Sequence, residues 1–184
     1  MNFLFFVVVF STALLALVAG AAVLFALYAT MIGFAMGAPY VRSKKAKITA
    51  MMALARLMPG ESAVDLGSGD GSVVIAASRT GASAVGVEMN PMLVWYSRMR
   101  IRRARPAMAG RARIMRGNFY NFSLRDTDVV FLYLWPSTVA RLREKMEQEL
   151  KSGSRVVSHA FPISGWTPTR EEQGVFLYQI GVEN

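Results

Sequence analysis

The chain is expected to be an α/β protein: a doubly wound, mostly parallel sheet preceded by an N-terminal transmembrane helix. Three observations support this. No charged side chain occurs from Met1 to Val41. Short apolar runs then alternate with helical stretches from about residue 60 to the C-terminus. The first of those runs leads directly into VDLGSGDG, residues 64–71, with glycines at alternate positions. Strands that alternate with helices make parallel α/β units.

The chain has 184 residues, enough for one ordinary domain plus an appendage. Residues 1–36 read as a hydrophobic anchor, 37–60 as a junction with a pre-domain helix, and 61–184 as the ligand-binding domain. From Phe3 to Met36 nearly every residue is apolar or small. A bilayer core of about 30 Å needs roughly 20 helical residues, so one span fits with residues to spare. The surplus can tilt, continue past the membrane, or break near Gly33 and Gly37, whose G-x-x-x-G spacing also suits helix contact. A secretory signal would need a basic first region and a shorter apolar one, and neither is present. Arg42, Lys44, Lys45 and Lys47 crowd the C-terminal flank. The positive-inside rule then places the domain in the cytoplasm or its equivalent, such as a mitochondrial matrix.

Ser43 is positioned to cap a helix from about Lys44 to Met58, with Ile48, Met51, Met52 and Ala55 on its core face and Pro59-Gly60 ending it. Residues 63–66 form the first strand and 72–79 a short helix closed by Gly81. Residues 83–88 (SAVGVE) form the second strand. Asn90 caps the next helix, with Pro91 at its first position, running to about Arg105. The third strand spans 112–116. The fourth, 128–134, is continuously apolar, as expected of a strand covered on both faces. Ser137 is expected to cap a helix with Val139, Leu142, Met146 and Leu150 as its buried stripe. Residues 154–161 form a fifth strand, PISGWTP a loop, and 174–182 the last strand.

There is no cysteine and one histidine, which excludes disulfides and argues against a transition-metal site. The net charge is +9. Eight arginines and no acid lie between Arg98 and Arg116. This segment fits anionic headgroups, a nucleic-acid backbone or a solvated helix end.

In a doubly wound sheet the ligand lies over the carboxyl ends of the strands, near the switch point. A dinucleotide loop would place its third glycine three residues after the second, but position 72 is serine. Asp65 and Asp70 put negative charge where phosphates would sit. No Gly-Lys-Ser/Thr follows, so a triphosphate loop fails too. Two carboxylates and a close backbone approach suit a nucleoside that bears positive charge, S-adenosylmethionine. Asp65 can take its amino group, Glu88 its ribose hydroxyls, and Asn118 its adenine amino group.

These features resemble class I, seven-strand methyltransferases with a Rossmann-like sheet. More narrowly, PYV (39–41), VDLGSGDGSVVIAA, VEMNPMLVWYSRMR and HAFPISGWTP resemble the small membrane-anchored protein-lysine methyltransferases of the ATP synthase c-subunit and adenine nucleotide translocase type, with their prokaryotic relatives. The resemblance implies cofactor contacts from Asp65, Gly67, Ser68, Gly69, Asp70 and Gly71, from Glu88 with Met89 and Asn90, and from Asn118 with Phe119. It implies a protein lysine, on a membrane-embedded partner, as methyl acceptor. Two departures stand out: Arg42 replaces a proline after PYV, and Tyr133-Leu134-Trp135-Pro136 follows the fourth strand instead of a glycine-valine-proline form.

No side chain stands out as a general base, and His159 reads as a mid-strand core or pocket-wall residue. Tyr40, Tyr133, Trp135, Pro136 and Trp166 are the candidates for the acceptor side, the aromatics by cation–π contact. A lipid or quinone acceptor, an RNA-binding or RNA-modifying role, a non-catalytic cofactor sensor and a homo-oligomer remain alternatives.

Overall fold

The computed structural model describes residues 3–35, 41–104 and 111–181. Tyr40, Pro39 and Gly37 lie outside them, and with them the expectations for Tyr40 and for the glycine pair. The chain divides into two compact units, Met1–Tyr40 and Val41–Asn184.

In the first unit, α1 (Phe3–Ala35) runs unbroken through Gly33. Its 33 residues extend about 50 Å at 1.5 Å per residue. Ser11 Oγ donates to Val7 O (2.8 Å) and Thr12 Oγ1 to Val8 O (3.0 Å). These hydroxyls are therefore satisfied within the helix, as a lipid environment requires. Residues 7–27 are long and apolar enough to cross a membrane.

The second unit is a seven-stranded sheet in the order β3-β2-β1-β4-β5-β7-β6. Its strands are β1 (Ser62–Leu66), β2 (Ser83–Glu88), β3 (Ala112–Arg116), β4 (Val129–Leu132), β5 (Arg155–His159), β6 (Arg170–Glu172) and β7 (Val175–Gln179). The first five are parallel, and β7 runs antiparallel to both β5 and β6. The order reverses beside β1, between β2 and β4, as the sequence implies.

The helices are α2 (Lys45–Ala55), α3 (Ser72–Arg79), α4 (Pro91–Ala104) and α5 (Pro136–Glu149). One face of the sheet packs Ala63, Ala84, Phe131, Val157 and Val175 against α2, α3 and α4. The other packs Val64, Leu66, Val130, Leu132 and Val156 against α5. Apolar residues on both faces explain why the central strands read as unbroken apolar runs.

Several boundaries differ from expectation, each for a local reason. Helix α2 is capped by the Lys44 backbone without a side-chain bond, so Ser43 is not its cap. It ends at Arg56, which is left-handed (φ 46°). Arg155 of β5 takes the freed carbonyls of Ala55 and Arg56 (2.5 and 3.0 Å) and pairs with Glu61. Strand β4 starts one residue late because the Asp128 carboxylate accepts from Ser62 N (2.7 Å) and Oγ (2.8 Å). Helix α5 begins at Pro136, capped by extended Trp135 rather than by Ser137. Proline suits that first position because its missing N–H would have had no partner.

Strand β5 stops at His159 because Ala160 turns left-handed (φ 70°). The expected stripe of α5 is buried: Val139, Leu142, Met146 and then Leu150. Asn90 caps α4 as expected, its Oδ1 accepting from Met92 N (2.9 Å). Strand β6 was not foreseen. It is three exposed charged residues joined to β7 through Gln173 and Gly174, both at positive φ, the geometry of a tight hairpin turn.

Met51, 1% exposed, anchors α2 in the core. Met51→Ala is expected to cost about 2–5 kcal/mol in urea unfolding, the usual loss for a buried methionine. A loss below about 0.5 kcal/mol, typical of surface positions, would show that α2 is not part of the domain core.

Candidate functional site

Strand β1 delivers the chain to the sheet edge at Leu66, and the turn that follows is left-handed at Gly67 (φ 80°), Gly69 (φ 51°) and Gly71 (φ 73°). Three such residues in alternation are strained for any side chain but glycine. The amides of Gly67 and Ser68 both donate to Val87 O (2.9 and 3.1 Å). The turn therefore leans on the end of β2.

Glu88, the last residue of β2, closes the turn from outside. Its Oε2 accepts from Gly69 N (2.9 Å) and its Oε1 from Asn90 N (2.8 Å). One carboxylate thus links the glycine turn to the start of α4, and each oxygen keeps a further lone pair for a ligand hydroxyl. The amide of Gly117, after β3, donates to Glu88 O (3.0 Å). Beyond it Asn118 Oδ1 accepts from Tyr120 N (3.0 Å), capping the short 3₁₀ turn Phe119–Asn121. Phe119 is buried and its ring lies 4.7 Å from that of Tyr120.

The two carboxylates of the motif, read alike in the sequence, differ in the structure. Asp70 is held by protein: Oδ1 accepts from Ser72 N (3.0 Å), and Oδ2 meets Arg100 Nη1 (2.5 Å) and Arg42 Nε (3.4 Å). Arg100 Nη1 also donates to Asp70 O (2.7 Å) and Ser72 Oγ (2.9 Å). Asp65 is buried, and no donor to its carboxyl occurs among the described residues. Burial, then the nearby Glu88 and Asp70, push its pKa up to about 8. A buried acid beside other acids disfavours its own charge, and a ligand cation would reverse that preference.

Ser68 Oγ is buried without a partner among the described residues. It lies over Gly86 of β2, where an added Cβ would stand 2.5 Å from Ser68 Oγ and 2.6 Å from Ile114 Cδ1. Gly86 and Arg100 are site-shaping residues that motif reading missed. The signal for Gly86 was a glycine inside an otherwise apolar strand. Arg100 was hidden among the basic residues around it.

Towards β4 and β5, the register runs Asp65–Phe131 and Leu66–Leu132, then Leu132–Ser158. One step further along the carboxyl edge stand Gly67, Tyr133 and His159. The rings of Tyr133 and His159 lie 4.1 Å apart. His159 ends its strand rather than sitting within it, is buried, and its Nδ1 has no partner among the described residues. Burial and then the Lys47 charge push its pKa down. Trp135 is half exposed and stacks on Phe161 at 5.8 Å, while Pro136 opens α5. Trp166 is held elsewhere: its Nε1 donates to Glu147 (2.8 Å) and its ring packs 5.6 Å from Tyr178, on the α5 face of the sheet. The structure therefore groups Tyr133 with His159 and Trp135 with Phe161, but not Trp166 with Tyr133.

The ANTKMT methyltransferase domain matches residues 65–170. A protein-lysine N-methyltransferase of Saccharolobus islandicus is 35% identical over 153 residues, covering 78% of this chain and 94% of its own. The human lysine N-methyltransferase of the ATP synthase c-subunit is 37% identical over 130 residues, and the mouse adenine nucleotide translocase lysine N-methyltransferase 39% over 131. Each of these two matches covers 71% of this chain. They take in 54% and 56% of the two animal proteins, so the chain spans about half the length of those relatives. Among solved structures, one titled RNA methyltransferase from Salinibacter ruber, in complex with S-adenosyl-L-homocysteine, aligns with a TM-score of 0.71 and 35% identity over 78% of this chain and 96% of that one. With its seven-strand Rossmann-like sheet and the glycine turn inside the matched region, the chain belongs to the ANTKMT methyltransferase family and is an S-adenosylmethionine-dependent methyltransferase.

Proposed function

We propose that the chain is a membrane-anchored protein-lysine N-methyltransferase whose acceptor is a lysine on a membrane protein. The observation that carries the acceptor is the pairing of the partly buried Tyr133 ring with buried His159, beside Gly67 on the same carboxyl edge. The names of the archaeal and animal relatives support lysine as the acceptor. The length and composition of residues 7–27 support the anchor. The basic residues after α1 support a catalytic domain on the cytoplasmic or matrix side. A tether raises the effective concentration of substrates in the same bilayer.

The residues present fit the cofactor. Asp65 is a buried carboxyl to which no described residue donates, suited to an ammonium, and Ser68 Oγ is a buried hydroxyl without a partner among the described residues. Glu88 is placed to take ribose hydroxyls while it keeps the turn closed, and Asn118 with Phe119 to flank adenine. Met89 and Asn90 complete that wall, and Gly67, Gly69 and Gly71 give it its backbone. Asp70 serves at one remove, by fixing the turn to Arg100. When bound, the cofactor supplies a methyl group on a sulfonium, open to in-line attack by an amine.

A free lysine, with a pKa of about 10.4, must shed a proton before it can attack. Tyr133 and His159 offer it an apolar wall in which a charged ammonium is disfavoured. Burial and then the Lys47 charge disfavour the charged form of His159, so a repelling charge beside the amine is disfavoured, and its Nδ1 has no partner among the described residues. Trp135 presents a half-exposed ring face to an arriving ammonium. Positioning of the two reactants is then the main source of rate.

A second reading has its own support: the Salinibacter structure carries an RNA methyltransferase title, and the segment Arg98–Arg116 is basic. Membranes incubated with the full chain and methyl-labelled S-adenosylmethionine separate the readings. Label recovered as methyl-lysine in peptides is expected. Label that is nuclease-sensitive, or that extracts into organic solvent, would overturn the lysine reading.

The two sides of the site give separate predictions. Asp65 is protonated in the empty protein until the pH nears about 8. Ammonium binding needs its ionised form, so cofactor affinity should rise from about pH 6 to about pH 8. The raised pKa also means that stability is fullest below the unfolded value and falls as pH climbs towards about 8. Asp65→Asn should bind more weakly and flatten both profiles, and an unchanged pH slope would refute the role. Tyr133→Ala should raise the acceptor KM with cofactor affinity intact, whereas a loss of cofactor affinity alone would move Tyr133 to the other side of the site.

A further inference from the structure

Helix α4 is apolar on both sides. Val94, Ser97 and Ile101 face the core, as the 3,4 spacing of a packed helix requires. The opposite face carries Met92 (59% exposed), Trp95 (61%) and Tyr96 (41%), with Met99 between them and Arg102 and Arg103 in the last turn. A face of this composition on a surface helix marks a contact with something else. Arg98 and Arg100 are committed inward, to Ile114 O and to Asp70. Arg102 and Arg103 have no ion pair among the described residues, and no acid lies on α4.

We propose that this outward face of α4 is a docking surface for an anionic lipid bilayer. An interfacial helix combines these two features: apolar and aromatic side chains that enter the acyl boundary, and arginines at headgroup level. A nucleic-acid backbone would engage Arg102 and Arg103 but leave Met92 and Met99 in water. Charge complementarity with anionic headgroups and the apolar centre of the patch together favour lipid. Because Glu88 bonds the amide of Asn90, which caps α4, a docked α4 would hold the cofactor turn at the membrane surface. The inference rests on the reading of the chain as a membrane protein, and it deepens that reading by naming a second, peripheral contact.

The chain has no cysteine, so Met92→Cys creates a unique attachment point for an environment-sensitive fluorophore. Gln148→Cys, on the exposed side of α5, is the control. The full chain is reconstituted in phosphatidylcholine vesicles with and without phosphatidylglycerol. The probe at position 92 is expected to shift to the blue and be quenched by brominated lipid only in the anionic vesicles, with no change at position 148. Arg102→Gln with Arg103→Gln should lower the docked fraction by roughly fivefold for each arginine, with the thermal melt of the native chain. A probe at position 92 that stays in water in both vesicles, or that RNA shields and vesicles do not, would overturn the proposal. Alkaline carbonate extraction, read in parallel, reports on α1 alone, so loss of the anchor reading and loss of α4 docking are told apart.

Discussion

The site depends on one carboxylate. Glu88 accepts from Gly69 on one side and Asn90 on the other. These bonds join three things that the chain order keeps apart: the turn after β1, the end of β2, and the cap of α4. Hydrogen bonds to an ionised acceptor are the stronger class, and here they hold a turn whose three left-handed glycines offer little resistance of their own. Without that tie the first half of the turn would rest on the two bonds to Val87 O, while Asp70 and Gly71 keep theirs to Arg100, Ser72 and Ser68.

Around that tie the acids divide their work. Asp70 is neutralised by Arg100 and Arg42 and serves to pin the turn to α4 and to the segment before α2. Asp65 is left buried with no donor among the described residues, at a cost in stability that rises with pH. A buried group whose charge is disfavoured until an opposite charge arrives is what a cation-binding site requires. In this chain the junction before α2 is linked through Arg42 to the cofactor turn, by a pair exposed enough at the arginine end to be weak on its own.

Much of this was legible in the sequence, and the parts that were not share a cause. The parallel sheet, the switch point beside β1, the Asn90 cap and the buried stripe of α5 follow from periodicity and capping chemistry, which act over a few residues. The end of α2, the stop of β5 and strand β6 depend on partners distant in sequence or on turns whose residues carry no apolar signal. Arg155 reaches back to Ala55 and Arg56 to end α2, and β6 exists only because β7 pairs with it. In the site, Asp65 and Asp70 are the same residue type within one motif, and the partners of Asp70, Arg100 first and then Arg42 and Ser72 N, are what set their surroundings apart. Trp166 donates to Glu147 and packs on the α5 face, a placement set by a partner 19 residues away.

The claim that Glu88 both shapes the turn and receives the cofactor is tested most directly by calorimetric titration of S-adenosylmethionine into the native chain and into Glu88→Gln. The substitution keeps an acceptor oxygen of similar size and removes the charge, so the fold should persist while affinity falls by about ten- to a hundredfold, the worth of one or two charge-assisted bonds. An affinity equal to that of the native chain, with the same thermal melt, would contradict the account.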